Sequence, residues 1–337
     1  MLRLPMTLLC SRFAPLILLF VVAAMTGCGS DDDGGSTRAP QPATLILDFT
    51  PNAVHAGTYL AKARGYDRDA GVRLEVRAPA SGADAIKLVR SGRADLAYLD
   101  IHDLALADEK APGELVAVMA LVQQPLASLL AAPEIDRPRD LEGKRVGVSG
   151  LPSDVAVLRS IVAGDGGDPD RVREVTIGFQ AVPAMTAGRV AAATGFWNVE
   201  GLALREKLPA AREFRVDQFG APSYPELVLV TRPRTLERRA DVVRSTIAAL
   251  RRGYEATLKD PDAAIGALTS GARGIDGDTA RKELDAVAPA FVAPGGRFGD
   301  LDPRTLRQWA AWEAKFGIVS KPPDVATLFA VAFAGAR

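Results

Sequence analysis

From residue 44 to about residue 231 the chain alternates short apolar runs with amphipathic stretches that stop at glycine, and beyond about residue 232 only helical patterning remains. Strands that alternate with helices are joined by crossover connections, which restricts the chain to α/β architectures built on largely parallel sheets. The spacing predicts strands near 44–48, 72–77, 94–99, 115–121, 144–149, 172–177, 190–195, 213–218 and 226–231. Helices are expected at 56–64, 82–91, 153–163, 182–187 and 199–207, then at 240–259, 261–269, 278–289, 303–316 and 324–334. Asp260-Pro261, Asp302-Pro303 and Pro323-Asp324 mark helix starts, since a capping carboxylate and a first-turn proline suit groups that have no intrahelical partner.

Two stretches about a hundred residues apart repeat one order of elements. One runs from Thr44-Leu45-Ile46-Leu47 to Ser91-Gly92-Arg93-Ala94-Asp95-Leu96-Ala97-Tyr98, the other from Lys144-Arg145-Val146-Gly147-Val148 to Ala187-Gly188-Arg189-Val190-Ala191-Ala192-Ala193-Thr194. Each ends as helix, Gly-Arg turn and strand, which points to two similar lobes. A length of 337 residues is enough for both to have cores.

The amino terminus is a separate matter. Arg3 and Arg12 precede the apolar run from Leu16 to Ala24, too short to span a bilayer comfortably and followed by Met25-Thr26-Gly27-Cys28. Residues 1–27 read as a lipoprotein signal peptide, with Cys28 the acylated first residue of the mature chain and the link to a lipid membrane. Residues 28–43, rich in Gly, Asp and Pro, read as a flexible tether. Cys10 and Cys28 are the two cysteines, so the folded part has no thiol for a disulfide or for catalysis. Equal counts of 41 basic and 41 acidic residues argue against a nucleic-acid partner, which requires a concentrated basic surface.

Ligands of open α/β sheets sit beyond the carboxyl ends of the strands. That rule selects Phe49, Asn52 and His55 after the first strand, Tyr98, Asp100 and His102 at the third, Ser149 after the fifth expected strand, and Trp197, Asn198 and Glu200 after the strand ending near Gly195. Aromatic faces beside amides and carboxylates suit a flat ring bearing amino groups. None of these loops carries Arg or Lys, so a nitrate, sulfonate or carboxylate would lack its usual guanidinium partner. Phe49 is open to two readings, ring stacking or packing beneath a loop, and Glu200 can equally complement a helix dipole. Two histidines on different loops do not make a metal site, and neither a metal nor a cofactor is expected.

Five segments carry a family resemblance: Leu47-Asp48-Phe49-Thr50-Pro51-Asn52-Ala53-Val54-His55-Ala56-Gly57, Gln124-Pro125-Leu126-Ala127-Ser128-Leu129, Asp140-Leu141-Glu142-Gly143-Lys144, Gly195-Phe196-Trp197-Asn198-Val199-Glu200-Gly201 and Phe219-Gly220-Ala221-Pro222-Ser223-Tyr224-Pro225-Glu226-Leu227. Together they make the chain resemble the thiamine pyrimidine-precursor binding proteins of ABC importers, relatives of the thiamine pyrimidine synthases; the usual family form has Trp where Phe49 stands. The resemblance implies a type II periplasmic-binding-protein fold whose two α/β lobes meet at a hinge of two crossing segments. Lobe one would be 44–124 plus 226–337 and lobe two 125–225, with crossings near 123–130 and 221–227. It further implies a monomer that binds a 4-aminopyrimidine such as formylaminopyrimidine or hydroxymethylpyrimidine and docks on an ABC permease. Phe49, Tyr98, Trp197 and Tyr224 would stack on the ring, and Asn52, Asp100, Asn198, Glu200 and Glu226 would read its polar edge. The synthases carry a cysteine-rich iron motif in the region matching 217–227, where this chain has no cysteine, so no catalytic residue is expected.

Overall fold

A computed structural model describes residues 39–80, 84–150 and 152–335. The expected signal peptide, the expected anchor at Cys28 and residues 28–38 of the expected tether lie outside the described residues. Ten strands form in chain order: β1 Gln41–Ile46, β2 Val72–Arg77, β3 Leu96–Asp100, β4 Val116–Val122, β5 Ala127–Ala131, β6 Arg145–Val148, β7 Arg173–Thr176, β8 Ala192–Phe196, β9 Arg212–Arg215 and β10 Leu227–Thr231. They make two five-stranded sheets, ordered β2-β1-β3-β10-β4 and β7-β6-β8-β5-β9.

The two orders are the same topology twice. In each sheet the first three strands in space run parallel, and the fourth runs antiparallel to both neighbours. That fourth strand always arrives from the other sheet: β5 follows β4 directly, and β10 follows β9. The central strand β10 and the edge strand β4 are both buried along their whole length, as strands covered by helices on both faces must be.

Several boundaries depart from expectation. β1 begins at Gln41, inside the stretch read as tether, where Gln41 pairs with Val72. Pro42 is tolerated there because β3 joins β1 only from Leu45 onward, so its missing amide has no ladder partner to lose. β5 was not expected, since Ala-Ser-Leu-Leu-Ala lacks the β-branched residues that mark strands. The helix Ile101–Lys110 was also unforeseen; it starts directly where β3 ends, with no turn between them. The long helix spans Pro233–Lys259 with a kink at Arg239, next to the expected start at 240. In place of one helix at 324–334 there are two single turns, Val325–Leu328 and Val331–Ala334. Phe329 between them bridges to Ala117 and covers the outer edge of β4.

Candidate ligand-binding cleft

The topology forces two equivalent junctions to face each other. At the end of β3, Ile101 N donates to Glu226 O (3.0 Å) immediately before β10; at the end of β8, Trp197 N donates to Leu126 O (3.1 Å) immediately before β5. Leu126 N in turn donates to Glu226 Oε2 (2.6 Å), so one carboxylate ties the two crossing segments together. Between the junctions lies a cleft of about 490 Å3.

The loop after β1 forms one wall. Asn52 caps the turn Ala53–His55, its Oδ1 accepting from Val54 N (2.9 Å), and Tyr254 Oη donates to Val54 O (2.7 Å) to hold the loop down. Close packing fixes Tyr254 itself: a Cβ on Gly57 would meet its ring at 2.5 Å, and one on Gly253 would meet Gly57 O at 2.2 Å. Glycine at both positions lets the helix Ala56–Ala63 lie against Pro233–Lys259 and sets the position of the wall.

Of the residues selected from sequence, Phe49, Asn52, Asp100, His102, Ser149, Asn198, Glu200 and Glu226 line the cleft. His55, Tyr98, Trp197 and Tyr224, also expected at the ligand, are buried and sit behind the lining. Each has a structural partner instead. His55 accepts from Asn52 N through Nδ1 (3.2 Å), which leaves Nε2–H to donate to Asp48 (2.8 Å). Tyr98 is fully buried with its hydroxyl 2.8 Å from Thr58 Oγ1, and burial pushes it above the usual tyrosine range. Trp197 donates from Nε1 to Pro125 O (3.0 Å), and the Arg215 guanidinium lies 4.0 Å over its ring. Tyr224 is buried edge-on to His102, with its hydroxyl 3.2 Å from Nε2.

His102 lies at the centre of a buried charge network. Its Nδ1 pairs with Glu313, brought in by the helix Pro303–Lys315. Burial alone would lower its pKa, but the carboxylates of Glu313 and Asp100 more than offset this and hold it up at about 10, so His102 is charged. Around it, burial raises Asp100, whose side chain also caps the helix Ile101–Lys110 through His102 N (2.7 Å). Burial, then the nearby Asp100, brings Glu226 up to about 8 and Asp103 up to about 7. Two lining acids, Glu200 and Glu283, are also raised by burial. Glu200 accepts from Phe196 N (3.1 Å).

Asp100, His102 and Glu226 each bring one ligand atom within 4.8 Å of the others. Both ring nitrogens of His102 are already engaged, Nδ1 by Glu313 and Nε2 by the Tyr224 hydroxyl.

Two polar side chains in the lining stand apart. Asn198 is fully buried, and neither its Oδ1 nor its Nδ2 has a hydrogen-bond partner. Glu226 is likewise buried, with Oε1 unpartnered. Among the described lining residues there are eight carboxylic acids and no Lys or Arg. Sequence reading missed Asp48, Asp103, Asp154, Glu283, Phe179 and the supporting Glu313. Phe179 was within reach of the strand-end rule, since it follows β7; Glu283 and Glu313 come from helices that strand ends do not point to.

Two α/β lobes of one topology, joined by two crossing segments with a cleft between, define a type II periplasmic-binding-protein fold. The periplasmic aliphatic sulphonate binding protein of Escherichia coli superposes with a TM-score of 0.69 over 86% of this chain and 92% of its own, at 15% identity. Residues 52–264 match the family described as NMT1/THI5 like, and the chain belongs to that family. A relative, the formylaminopyrimidine-binding protein of Halalkalibacterium halodurans, is 29% identical over 304 residues, 88% of this chain and 90% of its own. A more distant one is the 4-amino-5-hydroxymethyl-2-methylpyrimidine phosphate synthase THI12 of Saccharomyces cerevisiae, 23% identical over 65% of this chain and 67% of its own.

Proposed function

We propose that the chain is the extracytoplasmic substrate-binding lipoprotein of an ABC importer, a monomer anchored through Cys28 that takes a thiamine-precursor aminopyrimidine between lobe one (44–124 and 226–337) and lobe two (125–225). It does no chemistry; it closes on the ring and delivers it to the permease. Asn198 carries the reading. A buried amide with both functions unpaired costs stability in the free protein, which is a reason to expect a ligand that pairs them. A ring nitrogen beside an exocyclic amino group does so: Nδ2–H donates to the nitrogen, and the amino group donates to Oδ1. Glu226 Oε1 offers a third contact. A sulfonate, taurine or nitrate would meet eight carboxylic acids and no Lys or Arg among the described lining residues, and the one charged histidine there, His102, is already paired with Glu313. The 29% identical formylaminopyrimidine-binding relative supports the same ligand class and a role without catalysis.

Thermal unfolding with formylaminopyrimidine, hydroxymethylpyrimidine, taurine and nitrate is the direct test. A ligand at a hundred times its Kd adds about 2.7 kcal/mol, seen as a raised Tm. Stabilisation by the aminopyrimidines alone is expected; stabilisation by taurine or nitrate alone overturns the ligand class. Asn198→Ala should weaken aminopyrimidine binding by about 1–3 kcal/mol while leaving the free protein no less stable, since two unpaired polar atoms are removed.

A further inference from the structure

Exposed apolar side chains carry meaning when they lie together rather than singly. Among the described residues four are exposed: Phe49, Val175, Phe179 and Leu258. Two of these form a pair from opposite lobes. Phe49 follows β1 and Phe179 follows β7, and their rings meet edge-to-face with centroids 5.7 Å apart. Both line the cleft. Phe179 is 68% exposed and Phe49 43%, so neither fills a core. Gly178, at φ 57°, takes a backbone conformation that side chains disfavour and turns the loop at the point where Phe179 is presented.

The rest of the cleft supplies little for the face of a ring. Its other lining residue of the Phe, Tyr or Trp type is Phe196, while Tyr98, Trp197 and Tyr224 lie behind the surface and eight acids line it. We infer that Phe179 is the second lobe's half of an aromatic mouth, paired with Phe49, which selects flat-ring ligands and holds the cleft shut over them. This rests on the ring-binding reading above. The pair joins one lobe to the other, so contact with the ring and contact between lobes reinforce each other, and a ligand that adds ring surface at the mouth favours the closed form.

Isothermal titration of the purified protein with formylaminopyrimidine tests the selection. Phe179→Ala should weaken binding about tenfold and Phe179→Leu nearly as much, while Phe179→Tyr stays within about twofold of wild type. The Tm of the free protein should hold in all three, because the side chain is exposed. Wild-type affinity in Phe179→Ala overturns the inference. A fluorescence-transfer pair with one dye on each lobe reads closure separately, without ligand: Phe179→Ala should shift the population toward longer distances, and an unchanged distribution overturns the inference. A wild-type protein that binds no aminopyrimidine sinks the proposed function instead, and the mouth is then judged on the closure measurement alone.

Discussion

The two lobes are built on one topology, yet their corresponding strand ends hold opposite chemistry. Where β3 meets β10 the first lobe sets half-buried Asp100 beside the buried His102, Glu226 and helix-borne Glu313; where β8 meets β5 the second sets Phe196 and Asn198 in the lining with Trp197 behind them. Backbone geometry is conserved between the two junctions down to one amide–carbonyl bond each, Ile101 to Glu226 and Trp197 to Leu126. The shared part is what a strand entering antiparallel requires, and the divergent part is free to become a site. One junction therefore stores charge and protons, and the other offers a neutral amide with nothing to bind.

If that contrast is correct, damage should fall unequally. Glu313→Gln leaves the charged, buried His102 without its nearest counter-charge; losing one partner of a buried pair costs about 3–5 kcal/mol. Urea unfolding should show the loss, and the His102 ring resonances in an NMR titration should move to a lower pKa. An unchanged midpoint would mean that the network is not what holds the first junction. Next in size is the response to pH. Glu226 is raised in the folded protein from its ordinary value to about 8, so its contribution is fully present at acid pH and is lost as pH climbs from about 5 to about 8. One such group gives a slope of about 1.4 kcal/mol per pH unit in that window. Glu226→Gln should flatten it, and a slope that survives would shift the burden to Asp103, raised to about 7. The smallest effect belongs to an exposed ion pair between the lobes, Lys282–Glu206 at 2.6 Å. Lys282→Ala should leave both stability and affinity unchanged within error at physiological salt. A measurable loss of affinity there would move the closing contact away from the phenylalanines.

Much of this architecture was legible in the sequence, because strand and helix periods differ and the Gly-Arg step recurs in both halves. What periodicity could not supply was the exchange of strands. β5 is short and alanine-rich, and its place between β8 and β9 depends on contacts sixty or more residues away. The strand-end rule found part of the lining, including Asn198 and Glu226's neighbour Asp100. It also selected Tyr98 and Trp197, which lie behind the lining, because it locates a backbone position and not the direction of a side chain; Tyr224, named by the family resemblance, lies there too. Trp197 turned inward to give its indole N–H to Pro125, and Tyr224 to reach His102. The acids at Glu283 and Glu313 lie on helices whose sequences look like ordinary solvated faces; only tertiary packing brings one to the cleft and the other to a buried histidine.

The exchange of strands also sets an order of assembly. All five strands of the second sheet lie in one continuous stretch, Ala127 to Arg215, so that sheet can complete itself from local chain. The first sheet cannot: its fourth position belongs to β10, which comes after the entire second lobe, and Glu313 comes later still. Early strands β1 to β4 must wait with an open slot between β3 and β4 until the chain returns. The last strand to seat, β10, carries Glu226 at its entrance, so the step that completes the first sheet is the same step that installs the carboxylate tying both crossings together.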